Sequence, residues 1–410
     1  MVAQALQRKD LSIPLLIGGA TTSKAHTAAK IAPCYKNRAT VYVSDASRAV
    51  GVAAKLLGDE GQYRSFSEEI ATEYALVKNR VEARREQRAF LTIEAARANA
   101  FTWDWSKYCP PLPRKMGVHV VQPRLEELVS YIDWTPFFMT WELAGRFPGI
   151  LDDVVVGEAA SALWVDAQER LAWLLEDKRL EARGVIGLWP ANRCQLDDIT
   201  IFADETRSET VAKLLHLRQQ APRPDDLSPN LCLSDYIAPA GTPDYVGGFA
   251  VTSGHGIDEI LADFPEDDYT QIMIKALADR LAEAFAEYLH LQVRQDFWGY
   301  ATQETLSQED LVKERYAGIR PAPGYPACPE HSEKATLFRL LNATEHTGLT
   351  LTDSFAMSPA AAVSGWYFSH PEAKYFGVGK IDTDQLTDYA TRKGISNDGA
   401  MQLLRPLLSS

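Results

Sequence analysis

The chain of 410 residues carries 42 lysines and arginines against 55 aspartates and glutamates, a formal charge of −13, and 46% of its residues are hydrophobic. Such a composition predicts a soluble globular protein of two or three units, and its acidic excess argues against a phosphate-backbone partner. No apolar run approaches the roughly 20 residues that span a bilayer and no secretory core opens the chain, so neither nucleic acid nor membrane is expected as a partner and the expected location is cytoplasmic. The five cysteines, Cys34, Cys109, Cys194, Cys232 and Cys328, form no Cys-x-x-Cys pair, which argues against a disulfide framework and against a metal site.

Residues 12–19 predict a buried strand ending in the pair Gly18-Gly19, and the hydroxyl-rich Thr21-Thr-Ser23 caps a helix that follows. Residues 39–45 predict a second strand and 46–57 a second helix. This is parallel alternation of strand and helix, a partial Rossmann-like αβ unit with a ligand crevice at its carboxyl edge. Two strands are too few to close such a sheet. Residues 60–90 alternate charges over scattered apolar positions, the pattern of an exposed linker helix. The expected organisation is a first unit over 1–68, a linker helix over 69–83 and a large second unit over 84–410.

The second unit predicts a mixed architecture, an antiparallel sheet with surrounding helices, so that the whole chain combines α/β and α+β classes. An aromatic and proline-rich entry (101–113) precedes a short helix at 124–131. A long amphipathic helix is expected over 158–178 and strands over 182–189, 197–202 and 245–253, with 190–193 as a turn and 210–217 as helix or strand. Residues 267–294, with aspartates at the start and Ile274, Leu277, Leu281, Phe285 and Leu289 at helical spacing, predict a core helix. Glu283 and Glu287 share a face of it, a like-charge pair that solvent ordinarily attends. A helix over 334–342, an aromatic antiparallel pair from 357–371 and 374–381, and a terminal helix over 385–404 complete the expectation.

One stretch resists every regular element. Arg320-Pro-Ala-Pro-Gly-Tyr-Pro-Ala-Cys-Pro-Glu-His331 holds four prolines and a glycine in twelve residues, which dictates a rigid loop. Arg320 offers a planar fork suited to a carboxylate, and Tyr325, between Gly324 and Pro326, offers a flat face and a hydroxyl with little freedom to lose. Asp133 stands before Trp134, Phe137, Phe138 and Trp141, where an unpaired charge is costly, so it needs a helix to cap, a protein arginine or a ligand cation. Glu314 lies six residues before Arg320.

That loop, together with Asp133-Trp-Thr-Pro-Phe-Phe138 and Ser364-Gly-Trp-Tyr-Phe-Ser-His-Pro371, closely resembles the C-terminal activation domain of cobalamin-dependent methionine synthase, over residues 84–410. The resemblance implies a methyltransferase context in which S-adenosylmethionine methylates cobalamin after a flavodoxin-type donor has reduced it. It implies that Asp133, Arg320 and Tyr325 hold S-adenosylmethionine, with Glu283 and Glu314 near the same pocket and Tyr375 and Phe376 on the adenine side. His331 is expected as the eighth member of this S-adenosylmethionine-binding set, and it resembles a family histidine that responds to docking of the cobalamin domain. None of these residues is expected to act as nucleophile or base, so no catalytic residue is assigned.

Residues 16–27 and 42–51 resemble the second half of the family's cobalamin-binding domain, which implies corrin contacts at Gly18, Gly19 and Ala46. The family's Asp-x-His-x-x-Gly element, source of the lower cobalt ligand, does not occur in this sequence, and His26 is no substitute, so cobalamin is expected to be held weakly or not at all. Remaining partners implied are the cobalamin, folate and homocysteine modules of the full enzyme. Three functions stay open at this stage: the activation part of methionine synthase, a separate S-adenosylmethionine-binding module acting in trans, and an inactive truncated product.

Overall fold

The computed structural model describes residues 2–18, 23–43, 46–86, 90–224 and 228–408. They belong to two compact units, residues 1–89 and 90–410. Among the described residues no helix is long and apolar enough to cross a membrane.

In the first unit, β1 (Leu15–Gly18) and β2 (Thr40–Val43) pair in parallel, with Leu15 opposite Thr40 and Gly18 opposite Val43. The helices Ala46–Leu56 and Glu60–Glu86 follow. Most described positions of the second are exposed, as its charges predict, but one side of it packs on the strand pair. Phe66 packs with Val41 and Leu56, and Tyr74 is buried. Its tyrosines also complete strand hydrogen bonds: Tyr63 accepts the Ala39 N–H at 3.0 Å and Tyr74 the Tyr42 N–H at 2.7 Å. Both expected boundaries, 68/69 and 83/84, fall inside this one helix, and the break between units comes at 89/90.

The second unit is built on a six-stranded sheet. Its strands are β3 (Gly117–Val121), β4 (Glu181–Cys194), β5 (Asp198–Phe202), β6 (Thr210–Leu215) and β7 (Asp244–His255), followed, beyond a small hairpin of β8 (Thr350–Leu351) and β9 (Met357–Ser358), by β10 (Ala362–Tyr367). The order is β10-β7-β4-β5-β6, antiparallel throughout, with β3 also against β4. Residues 190–193, expected as a turn, continue β4. The strand changes neighbour there, pairing β3 through Leu188 and β5 from Ala191, so Pro190 falls in the gap, where a missing N–H breaks no ladder on that edge.

Helices cover both faces. On one, Gly157–Asp177 and Asp268–Gln292 share a core with β4 and β7; on the other, Glu333–Leu341 packs over the same strands. Two glycines allow the close approach: a Cβ on Gly184 would lie 2.6 Å from Phe285 Cζ, and one on Gly248 would lie 2.7 Å from Leu337 Cδ1. Two expectations for the end of the chain need correction. Residues 374–380 form no strand, because their backbone partners belong to loops, and the terminal helix is two, Thr383–Lys393 and Asn397–Leu404, divided at Gly394.

A buried charge network ties the ends of this unit together. Arg218, with no exposed side-chain surface, bonds Asp197 at 2.7 Å and both oxygens of Asp235 at 2.8 and 2.7 Å. Arg97 bridges Asp197 to Asp388 of the first terminal helix, 2.7 Å from each. Nearby, the aromatic entry segment encloses His370, whose ring lies 4.9 Å from Trp103, 5.3 Å from Trp105 and 5.1 Å from Tyr108.

Burial there pushes the His370 pKa down from 6.5 to about 4, and burial does the same to His216, to about 3. Each imidazole is neutral in the fold and gains a proton more easily when unfolded, so stability is full above pH 6.5 and falls as pH drops toward 4. Urea unfolding across that window is expected to show the loss, and His370→Phe, which keeps a ring in the box, should remove on the order of 3 kcal/mol of it. An unchanged pH slope in the variant would count against this account of His370.

Candidate functional site

The proline loop hangs from the end of β10. Ile319 and Phe368 exchange backbone hydrogen bonds at 3.0 Å, and the Trp366 N–H donates to Pro321 O at 2.9 Å. The loop then closes on itself, with the Gly324 N–H on Cys328 O at 2.7 Å and the Cys328 N–H on Tyr325 O at 2.9 Å. Gly324 has φ +97°, and a Cβ there would sit 2.4 Å from the His331 ring, so both the turn and its backing require glycine. Residues 375–378 are fastened beside it: Tyr375 hydroxyl accepts the Arg320 N–H at 3.0 Å, and Pro326 O accepts the Val378 N–H at 2.8 Å.

Two cavities open along this loop. One, of about 480 Å³, is lined by Pro321, Tyr325, Tyr375 and Phe376; the other, of about 390 Å³, by Asp133, Arg280, Glu287 and Gln308. They share Glu283, Glu314 and Arg320, which makes them two ends of one groove, a mainly aromatic end and a charged end.

Arg320 stands at the junction. Its Nη1 lies 2.7 Å from Glu287 Oε2, 2.7 Å from Tyr316 hydroxyl and 3.3 Å from His290 Nδ1. Burial works against the guanidinium charge, but Glu287 and the neighbouring phenols of Tyr316, Tyr375 and Tyr367 together outweigh it, and the Arg320 pKa sits above its ordinary value. All these bonds fall on one nitrogen. The Nε and Nη2 edge makes no protein hydrogen bond among the described residues, and the side chain keeps 17% of its surface exposed. A planar fork held from behind, with its other edge open to a groove, is a receptor for a carboxylate.

Asp133 lies in the charged end. Its Oδ1 accepts the Thr135 N–H at 3.0 Å and so caps the helix Thr135–Thr140, while Oδ2 has no protein partner among the described residues. Capping and lining the groove are thus compatible roles. Partial burial raises the Glu314 pKa, with Arg320 drawing it down and Glu287 pushing it up. Tyr325 is 61% exposed, so its ring is a rim of the groove.

Of the eight residues expected around S-adenosylmethionine, Asp133, Glu283, Glu314, Arg320, Tyr325, Tyr375 and Phe376 line this groove. His331 does not. It is an exposed residue behind Gly324, near Lys334 Nζ at 3.3 Å, because the ring fills the space that the turn leaves. Glu287, His290 and Tyr316 were not foreseen as the backing of Arg320. The helical spacing of Glu283, Glu287, His290 and Arg294 along one face was the available signal, and Glu287 is buried rather than solvated.

The expected corrin contacts are less developed. Gly18 ends β1, and a Cβ there would meet Val43 O at 3.0 Å, so strand pairing accounts for the glycine. Gly19 lies outside the described residues, and Ala46 opens the helix Ala46–Leu56. His26 is exposed on the short helix Lys24–His26.

A family model described as vitamin B12 dependent methionine synthase, activation domain, matches residues 124–394. Among solved structures, a crystal structure of the MetH reactivation domain bound to AdoHcy is 54% identical, with a TM-score of 0.76, over 78% of this chain and 99% of that one.

Because one hydroxyl holds the loop to residue 375, Tyr375→Phe is expected to cost the loop about 0.5–1.5 kcal/mol. Exchange of the Arg320 amide hydrogen should quicken by roughly 2- to 12-fold, and unaltered exchange would show that the bond does not hold the loop.

Proposed function

This chain belongs to the family of the vitamin B12 dependent methionine synthase activation domain, and from that membership we propose that it binds S-adenosylmethionine as the reactivation module of a cobalamin-dependent methionine synthase. In that role it supports the reductive methylation of cob(II)alamin to methylcobalamin. The observation that carries the proposal is the pairing, in one groove, of an open guanidinium edge at Arg320 with an unpartnered carboxylate oxygen at Asp133. An amino acid zwitterion needs one group of each sign. The relative of known structure binds AdoHcy, which carries the same amino acid and adenosyl groups as the methyl donor.

The ligand's carboxylate then takes Nε and Nη2 of Arg320 and its ammonium takes Oδ2 of Asp133. Glu283 and Glu314, at the junction, favour a sulfonium, since opposite charges in a partly desolvated site attract by about 4 kcal/mol at 4 Å when the effective dielectric is about 20. The adenine lies toward Tyr375 and Phe376, where an aromatic face and backbone groups select it; Phe376 stacks without offering a hydroxyl. Tyr325 bounds the open side. These residues bind and orient, and no residue of the groove is assigned as nucleophile or base. An open groove, rather than a closed pocket, leaves the methyl group accessible to a bulky acceptor.

The residues of the first unit do not fit a complete cobalamin site. The described part supplies two parallel strands, a glycine that strand packing already explains and an exposed His26. The acceptor is therefore presented by a cobalamin module, with the folate and homocysteine modules of the enzyme as further partners. A flavodoxin-type donor in the cytoplasm supplies the electron, and failure of cross-linking to a flavodoxin at low salt would remove that partner. In this function a half cobalamin-binding unit precedes the S-adenosylmethionine-binding unit.

Calorimetry with S-adenosylmethionine tests the central claim. Binding to the native chain is expected, with Arg320→Ala weakening it by at least about 100-fold, the equivalent of about 3 kcal/mol for charged hydrogen bonds, and Asp133→Asn by about 10-fold. Absence of heat with the native chain would leave the inert reading.

A further inference from the structure

Beneath the groove lies a layer of buried polar groups whose bonds are incomplete. Glu287 holds Arg320 through Oε2 at 2.7 Å, while its Oε1 is buried with no hydrogen-bond partner among the described residues. Arg294, with a fully buried side chain, uses Nε on Glu304 Oε2 at 2.7 Å, and its Nη1 and Nη2 make no hydrogen bond among the described residues. The two unsatisfied groups face each other, Arg294 Nη1 lying 4.0 Å from Glu287 Oε1. That gap exceeds a charged hydrogen bond by about 1 Å.

Buried charged groups normally find partners, because desolvated charge left unbonded is costly. Here a second ion pair is prepared and left open. Arg294 comes from the π turn Val293–Phe297 that widens the end of the helix Asp268–Gln292, a local departure that places its guanidinium 4.0 Å over the Tyr316 ring, whose hydroxyl takes Arg320 Nη1. The four charges, Arg294, Arg320, Glu287 and Glu304, balance in this state. A further carboxylate on Arg320 would leave that guanidinium with two anions while Arg294 holds one.

We infer that Glu287 is a positioning residue that sets how strongly the groove prefers a carboxylate-bearing ligand: it competes for Arg320 in the empty groove and passes to Arg294 when a ligand's carboxylate occupies the Nε and Nη2 edge. The inference rests on Arg320 as the carboxylate anchor. Its motion is small, a carboxylate rotation that exchanges one ion pair for another and lets the guanidinium keep its place. Glu287, which also lines the charged end of the groove, therefore acts on the ligand's carboxylate through Arg320.

The test compares two ligands on the full chain, S-adenosylhomocysteine and its decarboxylated analogue, whose affinity ratio isolates the carboxylate. Glu287→Gln keeps a hydrogen-bonding group beside Arg320 and removes the competing charge, so the ratio is expected to rise at least fivefold over the native chain. Arg294→Met removes the alternative partner, and the ratio should fall several-fold while affinity for the decarboxylated ligand holds. A crystal structure of the native chain with S-adenosylhomocysteine should bring Glu287 Oε1 within hydrogen-bond distance of Arg294. An unchanged or lower ratio in Glu287→Gln, with a native preference that Arg320→Ala abolishes, overturns this inference alone. No carboxylate preference in the native chain overturns both it and the assignment of Arg320.

Discussion

The ion pair between Arg320 Nη1 and Glu287 Oε2, 2.7 Å long, is the contact on which the groove depends. A guanidinium that is mostly withdrawn from water is costly unless an anion attends it, and Glu287, on the helix beside the groove, supplies that anion. The consequence is directional. Because the protein's bonds converge on one nitrogen, the other edge of the fork is presented to the cavity in a fixed plane, where a second carboxylate can be recognised by geometry as well as by charge.

That arrangement exists because two elements are positioned by the one sheet on which both are anchored. The helix Asp268–Gln292 carries Glu283, Glu287 and His290, and it seats on β4 where Gly184 admits Phe285. The proline loop hangs from β10, two strands away, through Ile319, Pro321 and Trp366. Helix and loop meet over the sheet edge. The prolines matter here as limits on the backbone: with φ fixed and few amides to satisfy, the loop can stand clear of the sheet while its remaining N–H groups donate to the loop's own carbonyls and to the Tyr375 hydroxyl.

The rest of the second unit secures that frame. Arg218 and Arg97 join Asp197, Asp235 and Asp388, so that the segment before the sheet, a loop within it and the first terminal helix share one buried network. Removing one member would strand another as an uncompensated charge in a dry interior. In the first unit the same need is met by phenols: Tyr63 and Tyr74 satisfy backbone N–H groups of the strand region that a larger sheet would satisfy with another strand.

Much of this was legible in the residues. Periodicity located the helix over 267–294, its buried positions Ile274, Leu277, Leu281, Phe285 and Leu289, and the parallel pair near the amino end. Proline spacing alone made 320–331 a loop, and the resemblance of its motifs drew Asp133, Glu314 and Tyr375 toward it. What one-dimensional pattern does not carry is partnership. Pro190 signals a turn unless one knows that β4 changes neighbour there, and residues 374–380 have strand composition but spend their backbone bonds on loops. Glu287 has the spacing of a solvated surface charge, and only the packing of a helix against a loop more than thirty residues onward makes it a buried counter-ion. Residue types thus determined which chemistry this chain has to offer, a guanidinium, a carboxylate and aromatic faces; tertiary structure decided which of those charges answer to each other and which edge is left for a ligand, because burial and distance, not order along the chain, set the strength of an ion pair.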